Sequence, residues 1–344
     1  MTLGTLLIRA DAGTVIGSGH VMRCLALAQA WQDAGGDVVL AACELPDGLV
    51  LRLAAERVPI HRLRGAIGSE QDAAELAAVA VACKARWVTV DGERFDSQYL
   101  ERLRTGGCRV LWVDDFGSAD VRSADAILNQ NLGATRDLYP WARDPVRLLL
   151  GVEHVMLRRE FRAAKPVARD PHARRSLLVT FGGSDPDGLT ERVLAALATG
   201  IPDVEVTTIV GEGNPRAASL RTADPVARAA VLVNPPNVPE IMMRSDFAVI
   251  AAGGTLWELL YCGCAVLSYA RNPVQASVIE RLAGDGVVEN LGPVAGFDEA
   301  ALRTAIASLV QSGERLARMR AAGRRIVDGD GVSRVLRALD GECE

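Results

Sequence analysis

Aromatic side chains make up only 4% of the 344-residue chain, while apolar residues as a whole reach 49%. The interior must therefore be built from Ala, Val, Leu and Ile, which suits helices laid on parallel sheets. Lysine is nearly absent: among 38 basic residues only Lys84 and Lys165 are lysines, a compositional bias that decides nothing about function. The charge balance has no basic excess, at −5 with a pI near 5.6. No broad positive field draws in nucleic acid or anionic lipid, so neither is an expected partner, and basic residues should be local anion contacts. No apolar run approaches the roughly 20 residues of a membrane helix. The opening Met1-Thr2-Leu3-Gly4 carries no basic or long apolar leader, so a cytoplasmic protein is expected. The seven cysteines (Cys24, Cys43, Cys83, Cys108, Cys262, Cys264 and Cys343) are odd in number and lack paired spacing, which predicts reduced thiols. Cys262 and Cys264 have no second Cys or His pair nearby to complete a zinc tetrahedron. Neither G-x-G-x-x-G nor a Walker A run occurs, so the dinucleotide and P-loop motifs are missing. No metal and no cofactor is expected.

Short apolar runs alternate with helical-period segments almost from end to end, the pattern of βαβ units. The length exceeds one comfortable hydrophobic core, so two domains are predicted. Residues 1–161 form the first, with strands over 6–9, 37–42, 59–63, 87–91, 109–113, 126–129 and 147–150. Its clearest helix covers 20–34 and stops at Gly35-Gly36, where a C-terminal cap belongs. Residues 162–175, with Lys165-Pro166 and Pro171, read as a linker. The second domain, 176–344, has strands over 177–181, 204–210, 230–233, 247–251, 265–269 and 287–289. The fold class is α/β, two doubly wound Rossmann-like domains in tandem. Ligands of such sheets bind outside the carboxyl ends of the strands, so a shared ligand is expected in a cleft between the domains.

Three constellations carry chemistry. In the first, the strand ending Ile8-Arg9-Ala10-Asp11 leads through Gly13 and Gly17-Ser18-Gly19 into a helix that begins His20-Val21-Met22-Arg23. Gly17 and Gly19 let backbone N–H groups approach a ligand, and the helix start favours negative charge. The same dipole lowers the pKa of a histidine, which predicts a neutral His20 able to act as general base. A cap with an ordinary surface histidine would leave Arg9, Asp11 and the paired glycines unexplained; Arg9, Asp11 and Arg23 are candidate substrate contacts.

The second, Phe181-Gly182-Gly183-Ser184-Asp185-Pro186-Asp187, can present amides to a phosphate and cap the following helix. The third is Ala251-Ala252-Gly253-Gly254-Thr255-Leu256-Trp257-Glu258. Gly253, Gly254 and Thr255 would offer N–H groups and a hydroxyl to a diphosphate, and Glu258 a carboxylate to ribose hydroxyls. A capping box between Thr255 and Glu258 fits the same spacing. Asp91-Gly92-Glu93 and Asp114-Asp115 end apolar strands with carboxylates that could hold sugar hydroxyls. Asn129 and Asn131 add amides beside them.

Together these motifs resemble the hydrolases that remove UDP from a diacetamido-trideoxyaltropyranose in pseudaminic acid synthesis, with their spore-coat polysaccharide relatives. The resemblance runs over residues 5–290 and rests on Gly17-x-Gly19-His20 with Arg23, Leu128-Asn129-x-Asn131, Leu157-Arg158-x-Glu160-Phe161, Gly182-Gly183-Ser184-Asp185 and Gly253-Gly254-Thr255-x-x-Glu258. It implies a GT-B fold in which His20 activates the water that attacks the anomeric carbon, with no metal. It places the diphosphate at Gly253–Thr255, the ribose at Glu258 and the uracil at the backbone of Val238. Asn272 and Gln275 fall near a family Asn-Gln pair that reaches the phosphates, but Pro273 and Val274 intervene. Glu93 stands where the pseudaminic enzymes commonly carry an aromatic facing the sugar, which points to a different sugar.

The resulting expectation is a UDP-sugar hydrolase that releases UDP and a free amino or deoxy sugar in surface polysaccharide or nonulosonic acid synthesis, as a monomer or weak dimer. GT-B proteins share nucleotide-sugar binding across several reactions. Glycosyl transfer to an acceptor, or binding without turnover, are the alternatives.

Overall fold

The computed structural model describes residues 3–14, 16–104, 106–117, 121–143, 145–165, 174–198, 204–222 and 229–341. It divides into two compact units, Met1–Arg159 with Gly329–Glu344, and Glu160–Asp328.

The first unit is a seven-stranded parallel sheet: β1 (Thr5–Ala10), β2 (Asp37–Ala42), β3 (Ile60–Arg62), β4 (Ala85–Asp91), β5 (Arg109–Val113), β6 (Ala126–Asn129) and β7 (Arg147–Leu150), in the order β3-β2-β1-β4-β5-β6-β7. Helices α1 (Gly19–Asp33), α2 (Asp47–Ala55), α3 (Glu70–Ala82) and α4 (Ser97–Arg104) connect the strands, and a short α5 (Arg159–Ala163) follows β7. Alternate side chains of a strand face opposite sides of the sheet, and both sides are apolar here because helices cover both. Leu6, Ile8 and Ala10 join the core that holds Leu25, Leu27 and Trp31 of α1. Leu7 enters the other core, with Leu76 of α3 and Leu100 of α4.

The second unit repeats the plan with β8 (Arg175–Thr180), β9 (Val204–Val210), β10 (Ala229–Val233), β11 (Phe247–Ala251), β12 (Ala265–Ala270) and β13 (Val288–Pro293), ordered β10-β9-β8-β11-β12-β13 and parallel throughout. Its helices are α6 (Leu189–Ala198), α7 (Ala217–Thr222), α8 (Val238–Arg244), α9 (Gly254–Cys262), α10 (Pro273–Gly284), α11 (Glu299–Gln311) and α12 (Gly313–Ile326). In each unit the first strand lies between the second and the fourth, so the strand order reverses there. That reversal is where a doubly wound sheet opens a crevice for ligand.

The predicted strands match the observed ones to within a few residues at each end. The end of the second domain differs. Helix α13 (Gly331–Asp340) belongs to the first unit, where Val332, Val335 and Leu339 are fully buried in the core beneath α1. The indole N–H of Trp87 donates to the Leu339 carbonyl at 2.9 Å. Gly331 is required by this docking, since a Cβ there would sit 2.2 Å from the Val155 carbonyl oxygen. Of the predicted linker, residues 166–173 lie outside the described residues. Among the described residues no helix is long and apolar enough to cross a membrane.

Candidate active site

In the first unit the strand reversal falls between β1 and β4, whose last residues, Ala10 and Asp91, are register partners. The loop leaving β1 is folded by reciprocal backbone bonds between Gly13 and Gly17, at 3.3 and 2.8 Å, and then enters α1. No side chain caps the start of α1, and no acid lies in its first turn. His20 stands on that first turn with its Nδ1 2.6 Å from Oδ1 of Asp91. Asp91 also accepts from Nε and Nη2 of Arg23 at 2.6 and 2.7 Å, and from the Cys24 thiol at 3.3 Å. Arg23 turns its other edge to Asp115, with bonds of 2.7 and 2.8 Å. Asn131 donates to both the Asp115 carbonyl and its carboxylate. His20, Arg23 and Cys24 meet one carboxylate because residues i, i+3 and i+4 share a helix face.

With Nδ1 of the neutral imidazole donating to Asp91, the basic lone pair sits on Nε2. His20 lines a cavity of about 200 Å³ with Asp11, Ile16, Asp91, Glu93 and Phe95. The expected lowering of its pKa needs correction: the His20 pKa is raised, first by the charge of Asp91, with burial opposing and the hydrogen bond to Asp91 and the charge of Asp115 adding to the rise. Magnitudes explain why. A helix terminus contributes about 0.3–1 kcal/mol, whereas a full charge at about 4 Å in an effective dielectric of 20 is worth roughly 4 kcal/mol. Arg23, which weakens the effect of Asp91 on His20, does not cancel it. Asp91 is held far below the ordinary carboxylate range by Arg23 and then His20, despite full burial. Asp115 is lowered by Arg23 as well, against the cost of its own burial. The arrangement is a base held and polarised by a permanently ionised carboxylate.

Several predicted substrate contacts have other work. Arg9 is fully buried; its guanidinium bonds to Asp72 at 2.8 and 3.1 Å, to Asp11 at 2.5 Å and to the Cys43 sulfur at 3.1 Å, and lies 5.0 Å from the Phe95 ring centre. Asp11 reaches the cavity wall, but its other oxygen accepts from the Cys43 and Glu44 amides at 2.8 and 2.9 Å. Asp114 is buried and accepts from the Phe116 and Gly117 amides and the Tyr139 hydroxyl. Asn129 donates to that hydroxyl and accepts from the Asn131 amide. These four shape loops, and Arg23 holds two carboxylates. His20, Asp91, Arg23 and Asn131 do come together, while Glu93 stands exposed on the wall of the His20 cavity. Gly17 has φ +76 in the folded loop, and a Cβ on Gly19 would meet nothing. Asp72, the partner of Arg9, was not singled out by pattern, and Asp115 was named only with Asp114 as a carboxylate for sugar hydroxyls, not as the partner of Arg23. Asp115 stood beside the chosen Asp114, and only the course of the chain after β5 tells which of the two meets Arg23.

In the second unit the loop after β8 and the start of α9 after β11 flank the reversal between adjacent strands. Gly182 is left-handed (φ +84). Gly183 and the nearly buried Ser184 follow, and Asp185 caps α6 by accepting from the Leu189 and Thr190 amides at 3.0 and 2.9 Å. Its carboxylate thus caps the helix that follows, as the Ser-Asp-Pro pattern predicts. The N-cap of α9 is Gly253, with no side-chain hydrogen bond; Thr255 lies inside the helix, so the capping-box alternative is not realised. A Cβ on Gly253 or Gly254 would meet nothing within 4 Å. Glu258 is half-buried on the next turn and Val238 opens α8. Asn272 caps α10 by accepting from the Gln275 amide at 2.9 Å, and Gln275 accepts from the Arg271 amide at 2.8 Å. This reciprocal cap engages both acceptor oxygens, while their N–H donors are not used in it. Among the described residues no group of His, Cys, Asp and Glu could hold a metal ion.

No family model matches the chain. It is 24% identical over 250 residues, 71% of this chain and 73% of the relative, to the spore coat polysaccharide biosynthesis protein SpsG of Bacillus subtilis. Its structure is similar to MurG of Acinetobacter baumannii, with a TM-score of 0.66 and 17% identity over 98% of this chain and 99% of that one. It is also similar to the Anabaena protein HepE in complex with UDP-glucose, with a TM-score of 0.60 and 12% identity over 97% and 99% of the two chains. The fold is GT-B, two Rossmann-like units each built on a parallel sheet.

Proposed function

We propose that the chain hydrolyses a nucleotide-activated sugar, with UDP as the nucleotide, releasing UDP and the free sugar. The observation that carries this reading is the 2.6 Å pair between His20 Nδ1 and Asp91 at the strand reversal of the first unit, which leaves a polarised base beside a cavity. In the reaction His20 Nε2 takes a proton from water as the oxygen attacks the anomeric carbon. The bond from that carbon to the diphosphate oxygen breaks, and its electron pair leaves with UDP. Asp91 stabilises the imidazolium so formed. Arg23, fixed by Asp115 and Asn131, keeps Asp91 ionised and in place.

We assign the nucleotide to the second unit. The uncapped start of α9 offers backbone N–H groups to the departing charge, the kind of preorganised stabilisation that dominates many such reactions. Gly253 and Gly254 are demanded by no contact among the described residues; they leave room for a diphosphate. Glu258 takes the ribose and Val238 the base. The UDP-glucose bound by the Anabaena neighbour supports the nucleotide, and the name of the Bacillus relative supports a place in surface polysaccharide synthesis.

The test is incubation with a panel of UDP-sugars without acceptor, following free UDP and free sugar. Release of both supports hydrolysis. Release only when an acceptor is added would make the chain a glycosyltransferase in which His20 deprotonates the acceptor hydroxyl, and binding without release would leave a binding protein.

A further inference from the structure

We infer that Glu93 selects the sugar, and that the substrate class is a hexose bearing a free amino group whose ammonium pairs with the Glu93 carboxylate. The inference rests on the nucleotide-sugar reading above and adds the substituent that reading leaves open.

The cavity beside His20, at about 200 Å³, falls below the roughly 300–1,000 Å³ of pockets that enclose whole drug-sized ligands. It holds one part of a nucleotide-sugar, and its catalytic histidine makes that part the sugar ring. Three carboxylates line it. Two of them are already committed, Asp11 to Arg9 and to two backbone amides, Asp91 to His20 and Arg23. Glu93 has no hydrogen bond or ion pair among the described residues. It is the acceptor left for a ligand.

Its position is fixed from both sides. Gly92 (φ +150) lies so close to the Phe95 ring that a Cβ would come within 2.9 Å of it. Phe95 is in turn packed on Tyr99 and Trp112 and beneath Arg9. The Arg94 carbonyl presses on Gly68, where a Cβ would be 2.1 Å away, and the Gly68 amide is tied to Asp72 at 2.8 Å. The buried Arg9–Asp72 pair therefore anchors the backbone turn that carries Glu93 at the cavity wall. An ammonium adds to the hydrogen bond a full charge–charge attraction to the carboxylate that a neutral donor lacks, which separates a free amine from a hydroxyl or an acetamido group. Arg94, on the same wall, offers donors to the ring hydroxyl oxygens.

The experiment compares UDP-glucosamine, UDP-N-acetylglucosamine and UDP-glucose in two readouts: equilibrium binding to His20→Gln, and UDP release by the wild-type protein. The expected result is a preference for the free amine of about ten- to a hundredfold, the range a charge pair reaches when the bound sugar shields it from water. Glu93→Gln should reduce it to within about threefold in both readouts while leaving UDP affinity unchanged, and Glu93→Asp should restore part of it. Glu93 is exposed, so these variants leave the core untouched. Turnover with no amine preference, or with a preference that survives Glu93→Gln, would overturn the inference and leave hydrolysis standing. Amine-selective binding without turnover would do the reverse. Failure of all three probes to bind would remove both.

Discussion

His20→Gln removes the proposed base and keeps a side chain that can still donate to Asp91. Loss of a general base lowers rate by about 10² to 10⁴, which at about 1.36 kcal/mol per tenfold is roughly 3–5 kcal/mol of barrier. Turnover should fall by that factor while UDP affinity stays within about twofold, since the nucleotide contacts are assigned to the other unit. The pH profile supplies a second, independent check. A base works when deprotonated, and Asp91 raises the His20 pKa; the acid limb of wild-type kcat/KM should therefore lie above the ordinary histidine value of about 6.5. The residual rate of the variant should show no such limb. Asp115→Asn withdraws a charge that also raises the His20 pKa, so it should move the limb toward lower pH while Asp91 still holds the ring. UDP release measured by a coupled assay between about pH 5 and 9 reads all three. Wild-type turnover by His20→Gln, or an acid limb at or below the ordinary histidine value, would refute the assignment.

Stability should respond to the same pair. A folded-state pKa raised above the unfolded value stabilises fully below about pH 6.5 and loses that contribution as pH rises through the folded value. The difference in unfolding free energy between wild type and His20→Gln in denaturant titrations should thus be larger at mildly acid than at alkaline pH. Gly254→Ala should keep or raise the melting temperature, because the added methyl meets no atom and Ala suits a helix better by up to about 1 kcal/mol, yet weaken UDP binding in calorimetry. Glu258→Ala should cost about ten- to a hundredfold in UDP affinity, the worth of hydrogen bonds to a charged group. Leu339→Ala, five residues from the end of the sequence, should destabilise the first unit by about 2–5 kcal/mol in chemical denaturation, since the side chain is fully buried.

Much of the fold was legible because its signals are local. Runs such as Val-Val-Leu-Ala-Ala in β2 or Phe-Ala-Val-Ile-Ala in β11 are too apolar and too short for anything but buried strands, and glycine ends such as Gly35 mark where helices stop. The return of α13 to the first unit was not legible. Its amphipathic pattern fixes a helix and a buried face, but nothing in Val332, Val335 and Leu339 says which core receives that face. The site divides in the same way. His20 on a first helical turn after a glycine loop is a local signal. The partners that set its chemistry, Asp91 and Asp115, lie 71 and 92 residues from His20 and Arg23, respectively, so the sign of the pKa shift depended on a contact that no short pattern contains.

The two charged strand ends show where reading a sequence for chemistry goes astray. Arg9 and Asp91 both stand at the carboxyl ends of adjacent strands beside the same reversal and both are buried, so each looks equally like a ligand contact. They differ in what their partners expose. Arg9 bonds to Asp72, Cys43 and Asp11, and the one of these that reaches the cavity, Asp11, is itself taken up by Arg9 and two backbone amides; Asp91 spends one of its oxygens on a histidine whose other nitrogen has no hydrogen bond among the described residues. A buried charge acts on a ligand only through a partner that still has an atom to offer. The same criterion separates Asp185, spent on two amides of α6, from the bare start of α9. It also explains why equivalent reversals in the two units serve different ends: the first places a side-chain base on the helix after its first strand, and the second leaves open the backbone of the helix after its fourth. Substituting Asp185 should therefore cost stability through α6 before it costs nucleotide affinity. A Asp185→Asn variant with unchanged melting temperature and weakened UDP binding would show that this criterion misplaces it.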